Sequence, residues 1–94
     1  MLVIEGEERR LRPWDFVHCP PVTAHIRVGA GEGPCVLVMV GARKPGRSTR
    51  YPVDPTAARY GATVETETDS PQEAYARFSR PEPGRYREGD LPPE

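Results

Sequence analysis

Cysteine is scarce in this chain. Cys19 and Cys35 are its only two, too few for a disulfide-stapled scaffold, and reduced thiols in a cytoplasmic protein are the plain expectation. A charge excess is missing too. Thirteen basic residues face fourteen acidic ones, for a net charge of −1, so the basic stripe of a nucleic-acid module is absent. Long apolar runs are also missing. The longest is residues 35–40, against the roughly 20 residues that a membrane helix needs. Residues 1–5 carry no basic stretch ahead of their apolar residues and no cleavage site, so no signal peptide is expected. Aromatics make up only 7% of the chain, which leaves few large side chains for a core.

What is present describes a small, rather polar globular chain. Its 94 residues are 36% hydrophobic and 29% charged, a length that suits one domain. Such a chain hides only roughly 60–65% of the surface its unfolded form exposes. Twelve prolines and nine glycines stay below the roughly 25–30% of composition at which disorder becomes the default reading.

The patterning changes near residue 43 and divides the single domain into residues 1–42, 43–80 and 81–94. The first part reads as β. Leu2, Val3 and Ile4 form a short apolar run, and Glu5, Gly6 and Glu7 a tight turn. Residues 8–12 alternate weakly before Pro13. Residues 15–19 read as a strand that Pro20 and Pro21 end, since neither can donate to a ladder. Residues 24–28 are the next strand, and the glycine-rich loop 29–33 has the length of a hairpin connection. Residues 35–40 are apolar at every position, the pattern of a strand buried on both faces. Short strands at this spacing point to a small barrel or sandwich.

In residues 43–80 the signals become helical. Arg43, Lys44 and Arg47 mark an exposed crossing segment. Asp54 and Pro55 suit the cap and first position of a short helix, and Gly61 its left-handed end. Ser70 and Glu73 form a capping box, and Ala74, Tyr75 and Phe78 an apolar stripe. A second short helix is therefore predicted from residue 71 to about 78, packed on the β part. Residues 81–94 read as a proline-rich, charged, extended tail.

Residues 14–29, from Trp14 through Pro20 and His25 to Gly29, resemble the second conserved motif of the cupin family. That pattern is a glycine, five residues, a proline, one residue, a glycine, two residues, a histidine, three residues and an asparagine. Pro20 and His25 match it. Trp14 and Val22 stand where the family has glycines, and Gly29 where it has asparagine. The likeness covers residues 2–42, under half the chain. It implies a mainly β fold: a partial, truncated cupin-like β-barrel or sandwich, with two short helices in the C-terminal half. Cupin metal sites draw two histidines and a glutamate from an earlier motif, and nothing upstream of Trp14 offers a histidine. The resemblance thus supplies one metal ligand, His25.

Two readings of His25 stay open. One is a partly buried histidine hydrogen-bonded within a barrel, and the other a ligand. His18, Cys19 and Cys35 are the further metal-binding candidates, but neighbours on a strand point to opposite faces, and both cysteines read better as small core residues. Arg27 shares a face with His25. Together they could bind a carboxylate or phosphate. Alternatively, Ile26, Val28, Val36, Val38 and Val40 form an outer apolar face that something else covers, and this account is preferred. The loop 29–33 precedes no helix, so it makes no phosphate cradle. Glu65, Glu67 and Asp69 suit a solvent-facing strand edge better than a cation site.

The sequence therefore suggests a truncated cupin-like protein of unassigned activity, non-catalytic and self-associating, with a homodimer as its expected form. The alternatives are a metal-dependent cupin enzyme, such as a dioxygenase or isomerase, whose Fe, Mn, Ni or Zn site is completed outside this chain, and a small-anion binding module built on His25 and Arg27. Neither a cofactor, a nucleic acid nor a membrane is expected as a partner. Because one imidazole cannot hold a transition metal against water, elemental analysis of purified protein should find far less than one metal per chain. Stoichiometric iron, manganese, nickel or zinc would restore the enzyme.

Overall fold

The computed structural model describes residues 1–91. The end of the proline-rich tail, residues 92–94, lies outside them. Three strands form one antiparallel sheet: β1 (Leu2–Ile4), β2 (Glu7–Arg9) and β3 (His25–Arg27), in the order β2-β1-β3. Two short helices follow, α1 (Pro55–Ala58) and α2 (Pro71–Ala74).

The hairpin between β1 and β2 follows from two residues. Ile4 pairs with Glu7, which leaves a two-residue loop, and Glu5 and Gly6 both take positive φ, 47° and 77°. That is the turn whose twist matches the strands it joins. Glu5 then ties the turn to the third strand. Its amide donates to Ala24 O at 2.8 Å, and its carboxylate accepts from Ala24 N at 2.7 Å.

Cross-strand partners share a face of the sheet. Val3 pairs with Glu8 and Ile26, and Leu2 with Arg9 and Arg27. The segment around α1 is held on the Val3 face. Tyr60 Oη donates to Glu8 Oε1 at 2.6 Å, Arg59 lies 3.7 Å from the same carboxylate, and Thr56 Oγ1 donates to Gly6 O at 2.7 Å. Leu2, Val3 and Ala57 are the fully buried hydrophobic residues among those described. The buried residues are thus two neighbours on the central strand, on opposite faces of the sheet, and one residue of α1.

Both helices begin as the sequence requires. The Asp54 carboxylate accepts from Thr56 N and Ala57 N, with Pro55 in the first turn. Gly61 closes α1 at φ 65°. Ala62 N reaches Ala57 O and Gly61 N reaches Ala58 O, each at 3.0 Å, the paired bonds of a glycine-ended helix. At α2 the capping box is half made. Ser70 Oγ accepts from Glu73 N at 3.3 Å, but the Glu73 carboxylate takes the Thr68 hydroxyl at 2.6 Å, and Thr68 Oγ1 accepts from Ser70 N. Helix α2 is also shorter than the stripe suggested. It ends at Ala74, and Tyr75 adopts φ −106°, ψ 8°. Tyr75 stacks edge-on against Tyr51 at 5.7 Å, and both Tyr75 and Phe78 remain more than half exposed.

The β half departs further from expectation. Residues 15–19 and 35–40 form no strand. The glycine-rich loop closes no hairpin, and β3 pairs with β1 instead. A strand needs a ladder partner as well as β-prone side chains, and residues 35–40 have none: both edges of β1 are taken, and the outer edge of β3 is left unpaired. Residues 35–40 consequently lie open, with Val38 and Val40 at 87% and 95% exposure. Cys35, expected in the core, is exposed.

Residues 15–19 lie between two strained positions. Trp14 and Val22 adopt φ 68° and 62°, a region that costs a side-chain-bearing residue about 1–2 kcal/mol and is least tolerated by β-branched ones. Val22 is fully exposed, so glycine there forfeits no packing. Val22→Gly should raise the melting temperature, whereas Val53→Gly, at an exposed position without positive φ, should lower it. Thermal melts of the two variants check this, and an equal loss in both would refute strain at Val22.

Candidate functional site

Strand β3 places the two residues singled out by the sequence. His25 pairs with Ile4 and Arg27 with Leu2, so both lie on the sheet face opposite α1. Both are exposed. The partly buried histidine of a closed barrel is thus not what the structure holds. Nδ1 of His25 lies 2.8 Å from Thr23 O. A carbonyl only accepts, so Nδ1 is the donor of this bond, and Nε2 is the ring nitrogen left open to a ligand. That is how a second hydrogen bond orients a metal-binding imidazole. Among the described residues, the Arg27 guanidinium makes no ion pair or hydrogen bond. The pair therefore offers one open imidazole nitrogen and one guanidinium on the same face.

Nothing else converges on them. Among the described residues, no three His, Cys, Asp or Glu side chains are grouped to hold a metal. Cys19 is half-buried, Cys35 is exposed, and the two are not bonded to each other. A transition-metal centre needs three or more protein ligands at one point, so the candidates present do not make one by themselves.

The other clusters are surface features with partners of their own. Glu67 forms an ion pair with Arg50 at 2.9 Å. Shallow depressions flank that carboxylate run, one lined by Glu65, Thr68, Glu73 and Arg77, another by Arg50, Glu67 and Asp69. Tyr51 and Thr68 bridge across the base of this region through paired backbone bonds of 2.8 and 3.2 Å. In the basic stretch, Arg47 donates to Ala42 O at 3.3 Å across a turn at Gly46.

Two arrangements had no sequence signal. Arg77 donates to both Gly61 O and Thr63 O, at 2.6 and 2.8 Å, and so links the segment after α2 to the end of α1. Tyr60 and Glu8 meet from 52 residues apart. Only the fold brings either set together.

No family model, no curated protein and no solved structure matches the chain. No helix among the described residues is long and apolar enough to cross a membrane.

The hydrogen bond to Glu8 raises the Tyr60 pKa above the ordinary value of about 10, with smaller upward contributions from desolvation and the Glu8 charge. A raised phenol pKa means the neutral hydroxyl is favoured in the folded chain. Its contribution to stability is present below the unfolded value and is lost as pH rises through the folded one. Ultraviolet titration should therefore find one tyrosine ionising later than the rest, and Glu8→Gln should return it toward the others. An unchanged titration in that variant would show that the contact is not made in solution.

Proposed function

We propose that this chain is a cupin-like β module that acts by binding to itself, as a homodimer, and not by catalysis on its own residues. One observation carries the reading. Val36, Leu37, Val38, Met39 and Val40 are consecutive, apolar and exposed. Single apolar side chains on a surface need no explanation, but a contiguous exposed run marks an interaction site. The core of Leu2, Val3 and Ala57 adds to this, because a chain of 94 residues with so little buried gains much by covering more.

The cupin-like part of the reading is supported by the backbone. Trp14 and Val22 stand at the two positions where the family's motif has glycines, and both hold positive φ. A backbone that demands φ > 0 at these places explains why a family would use glycine there. Free thiols at Cys19 and Cys35 suit a reducing, cytoplasmic compartment.

A second reading rests on His25. Its tied Nδ1 and open Nε2 suit a ligand, and a metal-dependent enzyme completed by residues outside this chain would use it so, with Arg27 beside it for an anionic substrate. Without those residues, His25 and Arg27 have the chemistry of a weak site for a small carboxylate or phosphate.

Light scattering at micromolar concentration tests the first reading. The expected mass is twice 10.5 kDa, and Val38→Asp, which places a charge in the exposed run, should return it to that of one chain. A mass of one chain for the unaltered protein would refute self-association.

A further inference from the structure

We infer that residues 35–40 of one copy add as a strand to the outer edge of β3 in a second copy. The inference rests on the self-association proposed above and names the surface that receives the apolar run.

The receiving edge follows from the ladder. Val28 N donates to Met1 O at 2.9 Å, the Met1 amine donates to Val28 O at 3.1 Å, and Glu5 N donates to Ala24 O at 2.8 Å. In an antiparallel pair, successive residues send their peptide groups to opposite sides. Ala24, Ile26 and Val28 therefore face β1, and the N–H and C=O groups of His25 and Arg27 face away from it. Among the described residues, no backbone bond takes up these outward groups.

The sheet's opposite edge is a poor competitor. Strand β2 consists of Glu7, Glu8 and Arg9, and charged side chains blunt an edge against pairing. Glu8 is also engaged by Tyr60 and Arg59. Strand β3 carries one charge, Arg27, against three on β2, and its Arg27 side chain makes no ion pair among the described residues.

The donor is the segment with the complementary need. Residues 35–40 contain neither charge nor proline, and valine recurs at 36, 38 and 40, the composition of a strand that seeks a partner. Among the described residues, their peptide groups make no backbone hydrogen bond. One chain thus carries both an unfilled strand position and an unpaired strand. In the structure the two stay apart, although the glycine-rich connection between them is short. A second copy satisfies both at once. Two chains related by a two-fold axis can each donate residues 35–40 and each receive them, so the contact closes at the dimer.

Cross-linking between distinguishable chains tests the pairing. One donor chain carries Cys19→Ser and keeps the native Cys35, and a second carries Cys19→Ser, Cys35→Ser and Val38→Cys. The acceptor chain carries Cys19→Ser and Cys35→Ser with either His25→Cys or Arg27→Cys, and the control acceptor has Arg9→Cys on the β2 edge. Residues 25, 27 and 9 are all exposed, so these changes leave the buried residues alone. Donor and acceptor are mixed, co-refolded and oxidised, and a disulfide joining the two kinds of chain is interchain by construction. Because bridged cysteines need Cα atoms within about 7 Å, the β3 acceptors should give severalfold more mixed disulfide than the β2 control. Equal yields from both edges, with light scattering still reporting a dimer, would overturn the strand pairing and leave self-association standing. A mass of one chain in light scattering would remove both.

Discussion

The structure depends on β1 being paired on both sides. A strand of three residues, Leu2–Ile4, is too short to hold a sheet by side-chain burial alone. With β2 on one edge and β3 on the other, its peptide groups are satisfied in both directions. Its central place also buries Leu2 and Val3 on opposite faces, since successive side chains alternate. Glu5 reinforces the arrangement from the turn. It uses its amide and its carboxylate on the same residue, Ala24, so the residue that makes the turn also ties down the start of β3.

The C-terminal half is organised around this unit by polar contacts more than by apolar ones. Glu8 receives the Tyr60 hydroxyl and the Arg59 charge, and Thr56 reaches Gly6 O. These groups are solvent-exposed or half-exposed, and contacts of this kind contribute little individually. Among the residues of α1, Ala57 is the buried one. Beyond α1, the chain is held by backbone and side-chain hydrogen bonds: the Tyr51–Thr68 bridge, the half-made cap at Ser70, and Arg77 spanning the Gly61 and Thr63 carbonyls. The buried hydrophobic residues among those described are Leu2, Val3 and Ala57, while residues 36–40 remain exposed. The same geometry keeps His25 and Arg27 at the surface on a sheet edge, where they can meet a second chain or an anion but enclose neither by themselves.

Local chemistry was legible in the sequence, and pairing was not. Asp54, Pro55 and Gly61 announced α1, and Ser70 the start of α2, because a cap depends on side chains within a few residues of the peptide groups they satisfy. Glu5 and Gly6 announced the first turn for the same reason. His25 and Arg27 were placed correctly on one face, since alternation along a strand is a local rule. What only the tertiary structure decided was which strands had partners. The apolar character of residues 35–40 is as strand-like as that of Leu2–Ile4, yet one stretch is central and the other exposed, because a ladder position is a property of two segments and cannot be read from one. The left-handed conformations of Trp14 and Val22, the length of α2, and the meeting of Tyr60 with Glu8 across 52 residues are decided in the same way, by where distant parts of the chain come to rest.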